Sequence, residues 1–341
     1  MNRFAYDYSV LPKVWNWKRF PTNLTECIWS EELSALLSLC MGIGKREMEA
    51  MSDYEKGKAL HTCIPMLMGH PLVPRSEALL SKILCQPVDL CASPFDDLWR
   101  NGADILAKSQ ESIGLLLANQ QKPYLRRIQC DVTSADAVFS MGMTPILDGN
   151  SLLNTQASHW KAWEYEMKEI LERFIRMGCD SVVLTLDEQY TDVLPDPYHV
   201  DKVLAGSGTA AERHSMMLAQ VFRFLSLECE AHGLFMILHL YCSGEQGIAF
   251  IRRSQAQRSL PKVLVTTPDP TTAAKLMQYC LEQPERRLEC ALLLRDYPSE
   301  PELSNALDFY AARYPFGCLR FITGGDFRFV EYDINTVKHL L

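Results

Sequence analysis

The sequence predicts an α/β fold, a (β/α)8 TIM barrel with a helical insertion between strands 1 and 2. Three observations carry this. After Lys122-Pro123, short apolar runs alternate with longer amphipathic stretches, which implies crossover connections and a parallel sheet. Counting an N-terminal run at Phe4–Val10, the apolar runs number eight, which favours a closed barrel over an open doubly wound sheet. Two long helical patterns end in a glycine, Met177-Gly178 and His232-Gly233, just before an apolar run. A left-handed cap residue belongs there.

Phe4–Val10 is aromatic-rich and ends at Leu11-Pro12. Residues 13–122 read mostly as helix and loop and form the insertion, within a single barrel domain spanning 1–341. Glu31–Met41 is apolar at helical spacing. His70–Pro74 reads as a loop, because two nearby prolines remove donors and fix φ. Pro94 opens a helix, with Asp96 and Asp97 in its first turn. The remaining strands are predicted at Arg127–Val132, Pro145–Asp148, Ser181–Leu186, Phe235–Cys242, Lys262–Thr266, Ala291–Arg295 and Leu319–Thr323. The clear helices between them are Trp160–Met177, Ala210–His232, Pro270–Glu282 and Glu300–Tyr314. Asp148 to Trp160 is short on helix, and a polar, glycine-containing loop is expected after Phe235–Cys242.

The chain has 341 residues, 48% hydrophobic and 22% charged, enough for a large core. A formal net charge of −8 argues against a nucleic-acid binder and against a polybasic membrane anchor. The first ten residues hold no apolar core of signal-peptide length, and no run approaches a membrane span. The 12 cysteines include no CxxC pair, and Cys179, Cys229, Cys242 and Cys290 sit inside apolar runs. Buried reduced thiols in a cytoplasmic protein are the expectation. GxGxxG, GxxxxGK[ST] and GxSxG are all absent, which weakens dinucleotide, P-loop and serine-hydrolase readings.

In a parallel barrel, chemistry gathers at the C-terminal ends of the strands. His239 follows Met236-Ile237-Leu238 and stands near such an end. Its imidazole could bind a metal, shuttle a proton, or simply be a satisfied core group. Asp326 and Arg328 follow the last strand beyond Gly324-Gly325. The aspartate suits a general base or metal ligand, and the arginine suits a bidentate clamp on a carboxylate. The alternative is an ordinary surface ion pair. Arg295-Asp296 and Asp187-Glu188 end the seventh and fourth strands. They read first as solvated charges or helix caps, as do Asp131 and Asp148. None of the eight histidines is spaced HxH or HxxxH.

Around His239, ERHSMMLAQVFRFLSLECEAHGLFMILHL resembles the segment of uronate (glucuronate) isomerases in which a helix and a glycine lead into a strand ending LHIGA. LPKVLVTTPDP is similar to that family's LPKT strand and Asn-Pro turn. HPLVPRSEALLSKILCQPVDLCASPFDDLW, GGDFRFVEYD and YDYSVLPK are similar, in collinear order, to its helical insertion, its TDSRSFLSY segment and its DYHCHLSP segment. The resemblance implies an amidohydrolase-type barrel in carbohydrate metabolism. It implies aldose–ketose isomerisation of a hexuronate, glucuronate to fructuronate in type, through an enediol, with divalent zinc bound. His239 then matches the family's strand-five histidine and, with Asp326, a metal-ligand pair. Asp326 and Arg328 match the catalytic Asp-x-Arg with a one-residue gap allowed after it, which puts Arg328 on the substrate carboxylate. Arg295, at the end of the seventh strand and outside the family match, is a second candidate for that carboxylate.

The sequence departs from the family pattern at several positions. Ser9-Val10-Leu11 stand where the family has its metal-binding HxH, and His70 and Pro74 fall near the HWTH pair. Val183-Leu184 replace Asp-His, and Leu294-Arg295-Asp296 replace Gly-Trp-Trp. Losing two imidazoles removes most of a zinc site's affinity. Two readings follow: a uronate isomerase-like enzyme, or a catalytically degenerate barrel that binds a sugar acid or a protein. A hydrolase or lyase built on Asp187, Glu188 or Asp296 has no motif behind it. The expected partner is a small sugar acid, with no nucleic acid and no membrane, and a homo-oligomer is compatible with the sequence.

Overall fold

In a computed structural model of the chain, the described residues are 7–9, 23–29, 31–70, 72–121, 127–140, 142–154, 157, 159–191, 193, 197–256, 260–282, 288–297, 299–313, 320–322, 335–336 and 339. The chain divides into two compact units. One comprises residues 1–15 and 125–327, the other 16–124 and 328–341.

After the first strand, β1 (Asp7–Ser9), six helices follow: α1 (Leu24–Ile28), α2 (Glu31–Met41), α3 (Lys45–Ala50), α4 (Asp53–Cys63), α5 (Leu72–Leu84) and α6 (Phe95–Gln121). Local chemistry sets several of their starts. Asn23 accepts from the Glu26 N–H, and Ser52 and Glu55 form a reciprocal capping box. The Pro94 carbonyl accepts from Asp97 and Leu98. Their apolar faces meet in one core that includes Leu24, Leu37, Leu60, Leu80, Ile83 and Leu106. Fully burying each such side chain contributes roughly 1.5–3 kcal/mol. The expected loop at His70–Pro74 is overturned from Leu72 on, where α5 begins with Pro74 in its first turn, while His70 stays outside the helix. A helix leaves its first four N–H groups without internal partners, so a proline costs nothing there. His70 completes the start, its Nδ1 accepting from the Leu72 N–H at 3.3 Å.

The other unit holds β1 and the remaining strands, β2 (Arg127–Cys130), β3 (Thr144–Asp148), β4 (Ser181–Leu186), β5 (Phe235–Leu240), β6 (Val263–Thr266), β7 (Leu288–Leu293) and β8 (Arg320–Ile322). Helices α7 (Ala135–Ser140), α8 (Trp160–Arg176), α9 (Pro197–Leu204), α10 (Ala210–His232), α11 (Gly244–Ala256), α12 (Pro270–Glu282) and α13 (Glu300–Arg313) connect them. Every pairing is parallel, and the order is β1-β8-β7-β6-β5-β4-β3-β2. This is the predicted (β/α)8 architecture, with α1–α6 inserted between the first two strands. Among the described residues, seven of the eight pairings of a closed barrel are present.

The α10–β5 joint shows how the sequence builds this unit. Thr209 and Glu212 form a capping box at the start of α10. Gly233 ends it at φ 67°, a conformation that favours glycine. On α8, Trp163, Met167, Leu171 and Phe174 recur at helical spacing and are all buried. Several segments differ from expectation: β7 runs Leu288–Leu293 instead of Ala291–Arg295, and α7 and α9 stand where no helix was expected. Where a polar, glycine-containing loop was expected after Phe235–Cys242, the helix α11 begins at Gly244, and its own Phe250 and Ile251 are buried. Gly244 and Gly247 in its first turn hide the helical pattern from a sequence reading.

No helix among the described residues is long and apolar enough to cross a membrane. Among the described residues, no disulfide joins the cysteines. Burial pushes the thiol pKa of Cys179 and Cys229 up.

Where β3 ends, the chain turns at once into a short 3-10 turn, Gly149–Leu153. A Cβ on Gly149 would stand 2.8 Å from Leu225 Cδ1 on α10 and 2.9 Å from the Val183 carbonyl oxygen. Gly149→Ala therefore overpacks the β3–β4–α10 contact. We expect it to lower unfolding free energy by about 2 kcal/mol in urea titrations, with no loss if the turn can move aside.

Candidate functional site at the C-terminal strand ends

Side chains alternate between the two faces of a strand, so the helix contacts identify the inner face. Leu184 and Leu225 of α10 both crowd Gly149, and Leu240 lies 3.1 Å from where a Cβ of Gly247 on α11 would stand. Leu184 and Leu240 therefore face the helices. Thr185 and His239, one position away, face the interior. The ladder aligns Thr185 with His239 and His239 with Thr266. Three polar side chains thus form one inward row across β4, β5 and β6.

His239 is 2% exposed. Its Nδ1 shares a 2.6 Å hydrogen bond with Thr266 Oγ1, which fixes the ring. Thr185 is held from the other side. Its N–H donates to Asn150 Oδ1 at 2.7 Å, and its carbonyl accepts from Asn150 Nδ2 at 2.9 Å. The Asn150 amide extends the β3–β4 ladder past Asp148↔Val183, where the backbone pairing stops.

One step further along the strands lies a second tier of polar groups. The Tyr241 and Cys242 N–H groups both donate to the Leu186 carbonyl, at 2.8 and 3.0 Å. This places Tyr241 beside the β4 end. The Tyr241 hydroxyl donates to Asp296 Oδ1 at 2.6 Å, reaching from the end of β5 to the turn after β7. Burial and the Asp296 charge push the neighbouring Tyr297 phenol pKa up. On the β4 side, Asp187 Oδ2 lies 2.7 Å from His214 Nε2 near the start of α10. Asp269 follows β6 and caps α12, accepting from the Thr272 N–H and hydroxyl and from the Thr271 N–H.

Of the residues singled out from the sequence, His239 stands in the inward row. Arg295 and Asp296 lie in the turn Leu294–Asp296 after β7. Asp326 and Arg328 lie outside the described residues. Asp131 and Asp148 cap local turns. Asp131 accepts from Thr133 and Ser134, and Asp148 from Asn150. Asp187, read as a solvated charge or cap, accepts from the Gln189 N–H and also lies against His214. Sequence reasoning missed Tyr241, Thr266 and His214. Tyr241 was within reach, since it shares the parity of His239 two residues earlier. The partnerships of Thr266 and His214 depend on strand register and helix placement, which leave no local mark.

The zinc implied by the family resemblance would need ligands beyond His239 and Asp326. Among the described residues, no group of three or more His, Cys, Asp or Glu side chains is placed to hold a metal ion. Those residues by themselves do not fit the group.

Protein-family models and curated proteins give no match to the sequence. Solved structures do. A uronate isomerase from Thermotoga maritima superposes with a TM-score of 0.71 at 13% identity, covering 98% of this chain and 85% of that one. A glucuronate isomerase from Caulobacter crescentus gives 0.75 at 12% identity, over 98% and 83%. At these identities the likeness is one of fold, and it runs through nearly the whole chain.

Two measurements probe this site. Thr266→Val keeps the shape of the side chain but removes the bond to His239. We expect a loss of about 1–2 kcal/mol in chemical denaturation, and an unchanged midpoint would show that the bond is not needed. The Thr272 hydroxyl and the helix-start N–H groups hold the Asp269 carboxyl pKa below its ordinary value. Such a group stabilises fully above its unfolded-state pKa, and the contribution is lost as pH falls through the lower folded value. Asp269→Ala should therefore cost about 1 kcal/mol at neutral pH. The gap to wild type should close as pH drops below about 4, and a gap independent of pH would refute the cap.

Proposed function

We propose that this chain is a uronate isomerase-like enzyme that interconverts an aldose hexuronate of the glucuronate type and its ketose. The observation that carries the reading is the likeness of fold to two uronate isomerases over 98% of the chain. Acid–base and hydrogen-bonding groups at the strand ends add to it. The reaction moves the C2 proton of the aldose to C1 through an enediol. In this reading Asp326 takes the proton from C2 and returns it to C1, while Arg328 and Arg295 hold the substrate carboxylate.

A second reading is a barrel that binds a sugar acid, or a protein, without turning anything over. It is favoured by the absence, among the described residues, of a three-ligand metal cluster. One experiment separates the two. Glucuronate and galacturonate are incubated with the protein in D2O, with and without added zinc, and followed by NMR, with calorimetry beside it. Ketose formation that falls at least about a hundredfold in Asp326→Asn supports the enzyme, and dependence on zinc would assign the metal. Hexuronate binding without conversion supports the binding protein. Neither binding nor conversion overturns the enzyme and the sugar-acid binder alike, and leaves only the protein-binding form of the second reading.

A further inference from the structure

We propose that the Tyr241 hydroxyl, oriented by Asp296, carries the proton that must pass between the two substrate oxygens during the isomerisation. The inference rests on the isomerase reading above and concerns a step that reading leaves unassigned. Aldose–ketose exchange moves two protons. One travels from C2 to C1, and the other from the oxygen on C2 to the oxygen on C1. The second transfer needs a group that gives and takes a proton at oxygen, placed on the catalytic face, neutral and held in one orientation. A phenol hydroxyl meets the chemical requirement.

Tyr241 meets the geometric one. It leaves β5 two residues after His239, with the same inward parity, and its N–H is pinned to the Leu186 carbonyl at 2.8 Å. Its hydroxyl lies 2.6 Å from Asp296 Oδ1, within the range of a charge-assisted O–H···O bond. Asp296 comes from the turn after β7, so the pair spans β6, whose Thr266 holds His239.

The step balances without an outside reactant. Once the C2 proton has left, the negative oxygen on C1 draws the Tyr241 hydroxyl proton away from Asp296. The Tyr241 O–H bond breaks and the C1 O–H bond forms. The Tyr241 oxygen then takes the proton from the oxygen on C2, restoring its O–H bond. The charge moves from one substrate oxygen to the other, and the C1 proton transfer completes the ketose. C1 is reduced as C2 is oxidised. Tyr241 is the catalytic group and Asp296 a positioning residue.

The test compares wild type, Tyr241→Phe and Asp296→Asn on glucuronate in D2O. Ketose formation and deuterium entry at C2 of recovered aldose are measured together, and thermal unfolding checks the fold. A broken relay still lets the C2 proton leave, but the intermediate returns to aldose. We expect conversion by Tyr241→Phe to fall about a hundredfold, with the ratio of deuterium entry to conversion rising at least about tenfold. Asp296→Asn should move the same ratio the same way by less, and it serves as the reporter if Tyr241→Phe fails to fold. An active wild type whose folded variants keep that ratio overturns the relay and leaves the isomerase reading standing. A wild type showing neither exchange nor conversion overturns both.

Discussion

The register of the β4–β5–β6 ladder is the constraint on which the inward polar row depends. Because side chains alternate, a slip of one residue would turn His239 toward the helices and Leu240 toward the interior. The structure fixes this register at several points. Leu184 and Leu240 pack against the helix layer, and Gly149 allows the turn after β3 to press on Val183 and Leu225. The Asn150 amide then closes on both backbone groups of Thr185. None of these contacts is chemical in purpose, yet together they set three polar side chains in one inward row.

Above that row, polar groups are paired across strand ends. Tyr241 with Asp296 joins the β5 and β7 ends, and Asp187 with His214 joins the β4 end to α10. Parallel strands require crossovers, so neighbours at this face come from positions far apart in the chain. Tyr241 and Asp296 are 55 residues apart. Partners of this kind hold each other's geometry across the strand ends.

Much of the fold was legible before any coordinates. Ala210–His232 is a helix from capping box to left-handed Gly233, and Ser181–Leu186 is a strand over the predicted residues. Both carry strong local signals, in caps and in continuous apolar runs. The start of α5 was misread because prolines at a helix start resemble a loop. The helix α11 was missed because two glycines in its first turn break the pattern. The site was less legible. His239 could be found from its strand-end position. Asp187 and Asp296 could be named, but not the histidine and tyrosine that engage them.

The sequence by itself determined the alternation of helix and strand, the eight-strand count and the helix caps. These follow from short-range properties: periodicity, φ preference and capping hydrogen bonds. The tertiary structure alone decided which polar groups meet. Thr266 on His239, Asn150 on Thr185 and Asp296 on Tyr241 depend on register and on strand neighbours. Those are set by packing of the whole α/β unit, a long-range property that no local stretch of sequence encodes.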